Sequence, residues 1–330
     1  MILEPVGGKP YYMCRIPGLV RTERGTLLAY YECRRETSSD WAAIDLKIIR
    51  STDGGNTWET VAILHGDGNT LNNPVMIVEG DTVHFLYCKN YSELFYAKST
   101  DDGRSFSEPV NITQVLRDSG YAHTVAAVGP GHGIVHKGRL LVPIWFAYCP
   151  EDTSAHHPSF LSILYSEDHG KTWQVGEPVD MGKVGEGVLS DPNESCLAVT
   201  AEGGVMISIR NQTEEEPHMR ALAFSENGIE GWSVPYLENR LLDAVCEGSM
   251  THRDGTVFHI NCDYPVRRQR KNLTVKITKD AFQTYQSILV DREGGYADLV
   301  ADGEKLYVIY EKGVFEENGG LYFKVLPYSF

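Results

Sequence analysis

The sequence predicts an all-β fold, a six-bladed β-propeller that forms one domain over residues 1–330. Three observations lead to this prediction. An eight-residue motif recurs along the chain, short strand-like segments separated by turns fill the intervals, and helical periodicity is nearly absent. A length of 330 residues is large for one compact core, but a propeller grows by adding blades around an axis and stays a single domain.

The recurring motif has the frame Ser-x-Asp-x-Gly-x-x-aromatic, and each copy is here named an Asp box. Three copies keep the frame, a fourth has its glycine one position early and a fifth is degenerate; they span residues 51–58, 99–106, 166–173, 225–232 and 278–285. Ser and Asp at the head of a turn accept hydrogen bonds from backbone N–H groups, and Gly supplies a positive φ. We interpret the box as a lock on a hairpin between two strands of one blade. A metal loop is disfavoured, because no copy supplies the carboxylates that an EF-hand needs.

Strand-like segments account for the sequence between the boxes. They are short and rich in β-branched and aromatic residues, as at residues 83–87, 140–145 and 205–209. A short helical turn at residues 112–117 is the one expected exception. Five boxed units and a closing unit, in which the C-terminal strand pairs with N-terminal strands, give six blades.

The composition disfavours several classes of partner. A net charge of −15 argues against nucleic acid and against an anionic membrane surface, whereas a small anionic substrate is compatible with it if arginines cluster locally. The longest apolar run, residues 140–148, contains a proline and is too short to span a bilayer. The histidines show no metal-ligand spacing and no glycine-rich loop opens a helix, so neither a metal nor a cofactor is expected.

The cysteines and the N-terminus bear on location. Seven cysteines without a Cys-x-x-Cys pattern are expected to be reduced and mostly buried thiols. The first twelve residues lack the basic and apolar regions of a secretory leader. The sequence therefore predicts a cytoplasmic location, or secretion if a leader was removed.

Three arginines outside the boxes are candidates for binding an anion: Arg15, Arg210 and Arg270. Each lies at the end of a strand-like segment. One such arginine in an acidic protein is usually a surface ion-pair partner. Three together can converge on one carboxylate, because the guanidinium fork matches it with two hydrogen bonds. Arg267 and Arg268 compete with Arg270 for the third place.

The order of these motifs resembles the sialidase (neuraminidase) family of six-bladed Asp-box propellers over nearly the whole chain. The Arg-Ile-Pro at residues 15–17 is similar to the family's Arg-Ile-Pro. The resemblance implies that Arg15, Arg210 and Arg270 clamp the carboxylate of sialic acid. It also implies that Glu311 steadies the first of these arginines.

The resemblance further implies three catalytic roles, for Asp40, Glu194 and Tyr296. Asp40 corresponds to the acid/base, Tyr296 to the nucleophile and Glu194 to the base that polarises it. The chemistry suits a sialoside, whose anomeric carbon carries a carboxylate that would repel a carboxylate nucleophile; sialidases are the exception that uses tyrosine. A phenol with an ordinary pKa of about 10 needs a base in contact with it to act in this way.

Two more residues are predicted to shape the pocket. Trp41 directly follows Asp40 and is expected to border the glycerol or N-acyl part of the sugar. Glu247 is expected in the pocket wall, where similar proteins often have glutamine, and there it would alter the preferred sugar. His132, in a glycine-rich turn, is expected to be structural or to support a residue of the site. His156 and His157 lie in the polar loop 152–159, which is expected to be solvated, with a position at the edge of the cleft as the alternative.

The predicted function is that of an exo-α-sialidase, which removes terminal α-linked sialic acid from glycoconjugates or oligosaccharides with retention. One alternative is the same reaction on a related 2-keto sugar acid glycoside, of the deaminated or Kdo type. Another is a propeller that binds acidic glycans without catalysis, which would need the arginines but not Tyr296 paired with Glu194. A lyase or another glycosidase would not need three arginines. Each residue alone has an ordinary structural explanation, and only their joint occurrence in this order favours a site.

Overall fold

The computed structural model describes residues 1–179 and 189–329, and it confirms the predicted all-β propeller. Six small sheets, numbered here as blades I to VI, are arranged in a ring. The inner strands of neighbouring blades contact one another around the axis. Large apolar clusters lie between adjacent blades, so the core is a ring of interfaces between sheets.

The strands follow one another blade by blade along the chain. The first strand, β1 (Ile2–Pro5), precedes blade I, which contains β2 (Met13–Arg21), β3 (Leu27–Arg34), β4 (Ile44–Ser51) and β5 (Glu59–Leu64). Blade II contains β6 (Leu71–Glu79), β7 (Thr82–Lys89), β8 (Glu93–Ser99) and β9 (Val110–Asn111), and the short helix α1 (Gln114–Asp118) follows it. The next strands are β10 (Val125–Val128), β11 (Gly131–His132), β12 (Ile134–His136), β13 (Arg139–Ala147), β14 (Ser159–Ser166) and β15 (Gln174–Val175). Of these, β11 runs parallel to β6 in blade II and the others form blade III.

The remaining strands complete the ring. Blade IV contains β16 (Ser195–Val199), β17 (Val205–Ile209), β18 (Met219–Ser225) and β19 (Tyr236–Leu242). Blade V contains β20 (Ser249–Arg253), β21 (Thr256–Cys262), β22 (Lys271–Thr278) and β23 (Gln286–Glu293). Blade VI contains β24 (Ala297–Asp302), β25 (Lys305–Lys312) and β26 (Gly320–Pro327), with β1 as its outermost strand. The first and last strands thus share one sheet, as predicted, and this pairing closes the ring.

Each Asp box joins the third and fourth strands of a blade. In the first box, the Ser51 hydroxyl accepts a hydrogen bond from the N–H of Gly55 at 2.9 Å and donates one to Asp53 at 2.8 Å. Asp53 also accepts bonds from the N–H and the hydroxyl of Thr57, at 2.9 and 2.6 Å. The indole of Trp58 donates to the carbonyl of Gly55 at 3.1 Å, which draws the ring back under the turn. The box is a turn lock, as the sequence indicated.

The glycine of the box is also the point where a blade packs on the preceding one. A Cβ on Gly55 would lie 2.1 Å from the ring of Phe323 in blade VI. The degenerate fifth box has Phe282 at this position, with a φ of 69°. Its buried ring packs with Met206 and Leu222 of blade IV. In the other boxes, a side chain from the preceding blade packs against the glycine. In the fifth box, the ring of Phe282 itself fills the equivalent space.

Two smaller predictions can be compared with the structure. The helix α1 lies two residues beyond the start of the expected helical turn. All seven cysteines are free thiols, and six of them are buried. Within residues 1–179 and 189–329, no helix has the length and apolar character needed to cross a bilayer.

Candidate active site

The candidate residues lie on one face of the propeller and the Asp boxes on the other. A box follows the third strand of its blade. The candidates instead lie where a first or third strand begins or where a second strand ends. Because neighbouring strands of a blade are antiparallel, all these positions lie on the face opposite to the boxes. Arg15 is in β2, Glu194 and Tyr296 immediately precede β16 and β24, and Arg210 immediately follows β17.

Tyr296 and Glu194 form the centre of the site. The Tyr296 hydroxyl lies 2.6 and 2.7 Å from the two carboxylate oxygens of Glu194, and Nη1 of Arg210 donates to it at 3.0 Å. Arg210 also donates to Glu194. Both Tyr296 and Glu194 are buried. Burial, and then the charge of Glu194, raises the pKa of Tyr296 well above its usual value, although Arg210 opposes this. The phenol is therefore protonated, with an acceptor for its proton already in contact.

Glu311 fixes two further arginines beside the same tyrosine. Nε and Nη2 of Arg15 donate to its two oxygens at 3.0 and 3.2 Å, and Nη1 of Arg270 donates at 3.2 Å. Burial opposes ionisation of Glu311, but Arg15 and Arg270 outweigh it and lower its pKa. Both guanidinium carbons lie 5.1 Å from the centre of the Tyr296 ring. Three arginines thus surround one phenol, an arrangement suited to holding an external carboxylate.

Arg270, and neither Arg267 nor Arg268, contacts Tyr296. Arg267 forms an ion pair with Glu214. Arg268 lines a neighbouring cavity and does not line the pocket at Tyr296.

Asp40 lies across the pocket from these groups, on the loop between β3 and β4. Its Oδ1 is 2.7 Å from Nη2 of Arg34 and 3.9 Å from Nη1 of Arg15, and 49% of its side chain is exposed. Arg34 is fully buried and is held in turn by Glu32 at 2.9 Å. Burial acts to raise the pKa of Asp40, but Arg34 and Arg15 outweigh it and lower the pKa below its usual value. The carboxylate is therefore ionised at neutral pH.

An aromatic wall stands beside Asp40, formed by Trp41, Tyr91, Trp145 and His156. Ring centres are 4.8 Å apart for Trp41 and Tyr91, 4.8 Å for Tyr91 and His156, and 5.2 Å for Trp145 and His156. Trp41 is 40% exposed and lies at the rim, while the other three line the pocket. His156 takes the alternative that the sequence left open, a position at the edge of the cleft, because its ring packs on these aromatic rings and lines the pocket. Burial lowers its pKa, so the imidazole is neutral at neutral pH.

The pocket between these groups has a volume of about 230 Å³. Its lining includes Asp40, Glu194, Tyr296 and all three arginines of the predicted clamp. Within the part of the chain that the structure describes, no group of three or more His, Cys, Asp or Glu side chains is arranged to hold a metal ion.

A profile of the BNR repeat-like domain matches residues 25–308, which is most of the chain. The chain belongs to this family. It is 28% identical to a sialidase of Bacteroides fragilis, over 91% of this chain and 60% of that protein. It is 26% identical to an exo-alpha-sialidase of Arthroderma benhamiae, over 95% of this chain and 81% of that protein. The chain therefore spans about three fifths of the bacterial relative and four fifths of the fungal one.

Solved structures of sialidases also superpose on this BNR repeat-like propeller. The Hadza microbial sialidase Hz136 superposes with a TM-score of 0.81 and 25% identity, over 99% of this chain and 68% of that one. The Trypanosoma rangeli sialidase superposes with a TM-score of 0.74 at 22% identity, over 95% of this chain and 54% of that one, and this likeness shows the shared fold. The resemblance to the sialidase family predicted from the motifs is confirmed.

One predicted pocket residue lies elsewhere in the BNR repeat-like propeller. Glu247 was expected in the pocket wall, but it is 2% exposed and lies behind the site. There it accepts a hydrogen bond from the N–H of Ala297, next to Tyr296, at 2.9 Å. Burial, then the charges of Cys246 and Glu194, raises its pKa well above the usual value. The packing of blade V on blade VI encloses this side chain, so it does not reach a ligand in the pocket.

Five residues at the pocket were not among those predicted from the sequence. Arg34 and Glu32 hold Asp40 in place, and the pocket lining includes Tyr91, Trp145 and Gln212. The only signal available for Arg34 and Glu32 was their position in the segment that leads to Asp40. An arginine and a glutamate on the same face of one strand would have suggested a fixed ion pair below that loop. The aromatic residues carried no such signal, because the sequence reads them as ordinary strand residues.

Proposed function

We propose that this propeller is an exo-α-sialidase, which hydrolyses terminal α-linked sialic acid from glycoconjugates or oligosaccharides with retention and uses Tyr296 as its nucleophile. The observation that carries the proposal is the contact of the Tyr296 hydroxyl with Glu194, at 2.6 and 2.7 Å, between three arginines. A propeller that only bound acidic glycans would need the guanidinium groups. It would not need a buried phenol paired with a buried carboxylate, so this contact favours catalysis over simple binding.

Binding of the sugar begins with its carboxylate, which enters between Arg15, Arg210 and Arg270. Glu311 holds two of these side chains and Glu194 the third. Because the arginines are already oriented, little conformational entropy is lost when the carboxylate binds. The clamp then holds the anomeric carbon, which bears that carboxylate, next to the Tyr296 hydroxyl.

In the first chemical step, the Tyr296 oxygen attacks the anomeric carbon and the bond to the leaving oxygen breaks. Glu194 accepts the phenol proton, and Asp40 gives a proton to the leaving oxygen. The arginines hold the sugar carboxylate and stabilise the oxocarbenium-like transition state electrostatically. The product of this step is a tyrosyl-linked sugar and a free aglycone.

The substrate itself prepares Asp40 to act as an acid. Within the protein, burial raises the pKa of Asp40 but Arg34 and Arg15 lower it more. A sugar carboxylate on Arg15 offsets part of that positive field, and the sugar covers the exposed part of the Asp40 side chain. Both changes raise the pKa of Asp40 when substrate is bound.

In the second step, Asp40 removes a proton from a water molecule that attacks the anomeric carbon. The Tyr296 oxygen leaves and recovers its proton from Glu194. Each step inverts the anomeric centre, so the overall result is retention. The aromatic wall favours a sugar with an apolar N-acyl group over a deaminated sugar, because it offers apolar surface to that group.

The test is hydrolysis of a 4-methylumbelliferyl α-sialoside followed by proton NMR, with wild type, Tyr296→Phe and Asp40→Ala. Tyr285→Phe is the matched control, because Tyr285 is an exposed tyrosine in the fifth Asp box on the other face. We expect wild type to release the α-anomer first and Tyr296→Phe to lose activity by a factor of about 10²–10⁴. Absence of turnover by wild type would count against the proposal, as would first release of the β-anomer. If only deaminated or Kdo glycosides were turned over, the substrate would be one of those sugars and not sialic acid.

A further inference from the structure

A second cavity, of about 530 Å³, adjoins the pocket at Tyr296 and is named here the basic cavity. It has more than twice the volume of the pocket, which is about 230 Å³. The two share Arg210, Gln212 and Arg270 in their linings. A ligand held by these arginines therefore has a direct continuation into the basic cavity.

The lining of the basic cavity differs in charge from the rest of the protein. The chain has a net charge of −15, yet five cationic side chains line this cavity against three carboxylates. The cations are Arg210, Arg267, Arg268, Arg270 and Lys271, and the carboxylates are Glu293, Glu311 and Glu316. Glu311 is already occupied by Arg15 and Arg270. Most of the excess positive charge comes from one segment, residues 267–271, which leads from β21 into the first residue of β22.

Two of these cations have no internal counter-ion. Arg268 and Lys271 are exposed, and no carboxylate among residues 1–179 and 189–329 lies within ion-pair distance of either. Lys271 donates a hydrogen bond to the side-chain oxygen of Gln269, at 3.3 Å, and its Nζ lies 5.3 Å from the centre of the Tyr264 ring. Burial lowers the pKa of Arg267, and the charges of Arg268 and Arg210 lower it further, so these guanidinium groups repel one another. A concave surface of this kind attracts anions from solution.

The lining of the basic cavity also includes a large exposed ring. Phe315 is 63% exposed and lines the basic cavity, and its ring centre lies 5.3 Å from the guanidinium carbon of Arg15. An exposed aromatic ring beside a cationic lip suits a sugar ring that carries an anionic group. The apolar face of the sugar can pack on Phe315 while its charged group meets Arg268 and Lys271.

We infer that the basic cavity binds an acidic sugar residue in the part of the substrate that carries the cleaved sialic acid. This inference rests on the proposed function and specifies its substrate class. The shared chemistry is an anionic group one residue beyond the cleaved sugar. It has two sources, the carboxylate of a second sialic acid joined to the first, or a sulfate ester on a neutral sugar.

The test compares kcat/KM for three oligosaccharides: α2,3-sialyllactose, an α2,8-linked disialyl-lactose and a sialyllactose with sulfate on the galactose. The variant is the double substitution Arg268→Gln and Lys271→Gln, which removes charge and keeps side-chain length. Arg104→Gln is the control, because Arg104 is an exposed arginine in the second Asp box on the other face. The pair of acidic substrates shows which source of negative charge the cavity accepts.

In α2,3-sialyllactose the only charge is on the cleaved sugar, whereas the other two substrates carry a further negative charge on the sugar next to it. We expect wild type to prefer at least one of these two over α2,3-sialyllactose, and to lose this preference as ionic strength rises. In the double variant, the ratio of kcat/KM for a substrate with the further negative charge to kcat/KM for α2,3-sialyllactose should fall by about fivefold to tenfold, mainly through KM, since each exposed charge contributes modestly. The control should keep the wild-type ratio. Equal kcat/KM for all three substrates in wild type would overturn the inference, as would an equal fall for all three in the double variant.

Failure of this inference is distinguishable from failure of the proposed function. Turnover of a 4-methylumbelliferyl α-sialoside, without a preference for the substrates with a further negative charge, would support the sialidase activity and overturn only the role proposed for the basic cavity. If no substrate is turned over, calorimetry still tests the cavity, by comparing the binding of disialyl-lactose and of α2,3-sialyllactose to wild type and to the double variant. Equal affinities there would overturn the inference without reference to catalysis.

Discussion

At the scale of single residues, burial sets the behaviour of the carboxyl groups around Tyr296 as much as charge does. Glu311 is buried and ionised because Arg15 and Arg270 outweigh its burial. Glu247 is equally buried, but its pKa is raised well above the usual value, so it is a carboxylic acid rather than a carboxylate over a wide pH range. Two buried glutamates near Tyr296 thus take opposite protonation states, and the neutral one supports the backbone beside the nucleophile.

A pH-dependent stability difference is expected for Glu247→Gln. A group whose pKa is raised by folding contributes stability that is present below its unfolded pKa of about 4.3 and is lost as pH rises through its folded pKa. Wild type should therefore lose stability over that window, and the neutral amide should not. We expect the melting temperature of the variant, relative to wild type, to increase as pH rises from 4.5 to 8. Glu202→Gln, at an exposed turn, is the control, and a difference independent of pH would contradict the account.

The role of Asp40 leads to a second prediction at this scale. An acid catalyst matters most when the leaving group is poor, because a good leaving group departs without a proton. Asp40→Ala should lower kcat/KM for sialyllactose by about 10²–10⁴-fold, and that for an aryl sialoside by much less. Parallel steady-state measurements on both substrates test this. An equal loss on the two would show that Asp40 does not protonate the leaving oxygen.

At the scale of elements, the Asp box both closes a hairpin and fits one blade to the next. Gly54 and Gly55 have positive φ values of 73° and 87°, so both accept a side chain only with strain. Their surroundings differ. Nothing lies within 4 Å of a Cβ on Gly54, whereas a Cβ on Gly55 would meet the Phe323 ring at 2.1 Å. The interface between blades I and VI therefore depends on the second glycine.

Alanine at these two glycines separates strain from packing. Gly54→Ala should lower the free energy of unfolding by about 1–2 kcal/mol, the cost of a left-handed residue. Gly55→Ala should lower it by about 1–3 kcal/mol more, because the ring of Phe323 must move. Urea denaturation of the two variants measures the difference. Equal effects would mean that the box glycine has no part in contact between blades.

At the scale of the whole molecule, Asp298 ties several blades together at the central axis. This fully buried carboxylate accepts hydrogen bonds from the N–H of Leu19 in blade I at 2.8 Å and the hydroxyl of Ser249 in blade V at 2.7 Å. It also contacts Nδ1 of His132, on β11, at 2.8 Å. Burial lowers the pKa of His132, but Asp298 more than offsets this and raises it. His132 is structural, as the sequence suggested, and it joins blade II to this link.

Two aspartates on β24 allow a direct test of that link. Asp302 also connects blades I and V, through ion pairs with Arg21 and Arg253, both at 2.8 Å, but 32% of its side chain is exposed. Asp298→Ala should cost about 3–5 kcal/mol of unfolding free energy, because it leaves His132 and two donors buried without their partner. Asp302→Ala should cost less than about 1 kcal/mol for each exposed pair it removes. Similar costs for the two would contradict the importance given to burial.

The sequence predicted features that depend on local chemistry or on order along the chain. The box turn followed from its own side chains, and closure by β1 followed from the count of boxes. The positions of Glu247 and His156 were not predictable in this way. Burial of Glu247 depends on how blade V packs on blade VI, and the aromatic contacts of His156 depend on how a loop of blade III folds over the pocket. The competition between Arg267, Arg268 and Arg270 was also open until side-chain directions were known, because all three lie within four residues.

The central claim is that Tyr296 forms a covalent bond to the sugar. The most direct measurement is incubation with 2,3-difluorosialic acid, in which the fluoride at C2 is the leaving group and the fluorine at C3 slows the second step, followed by mass spectrometry of the intact chain and its peptides. We expect one sugar adduct, located on the peptide that contains Tyr296 and absent from Tyr296→Phe. An adduct on Glu194, or no adduct on wild type that hydrolyses an aryl sialoside, would contradict it.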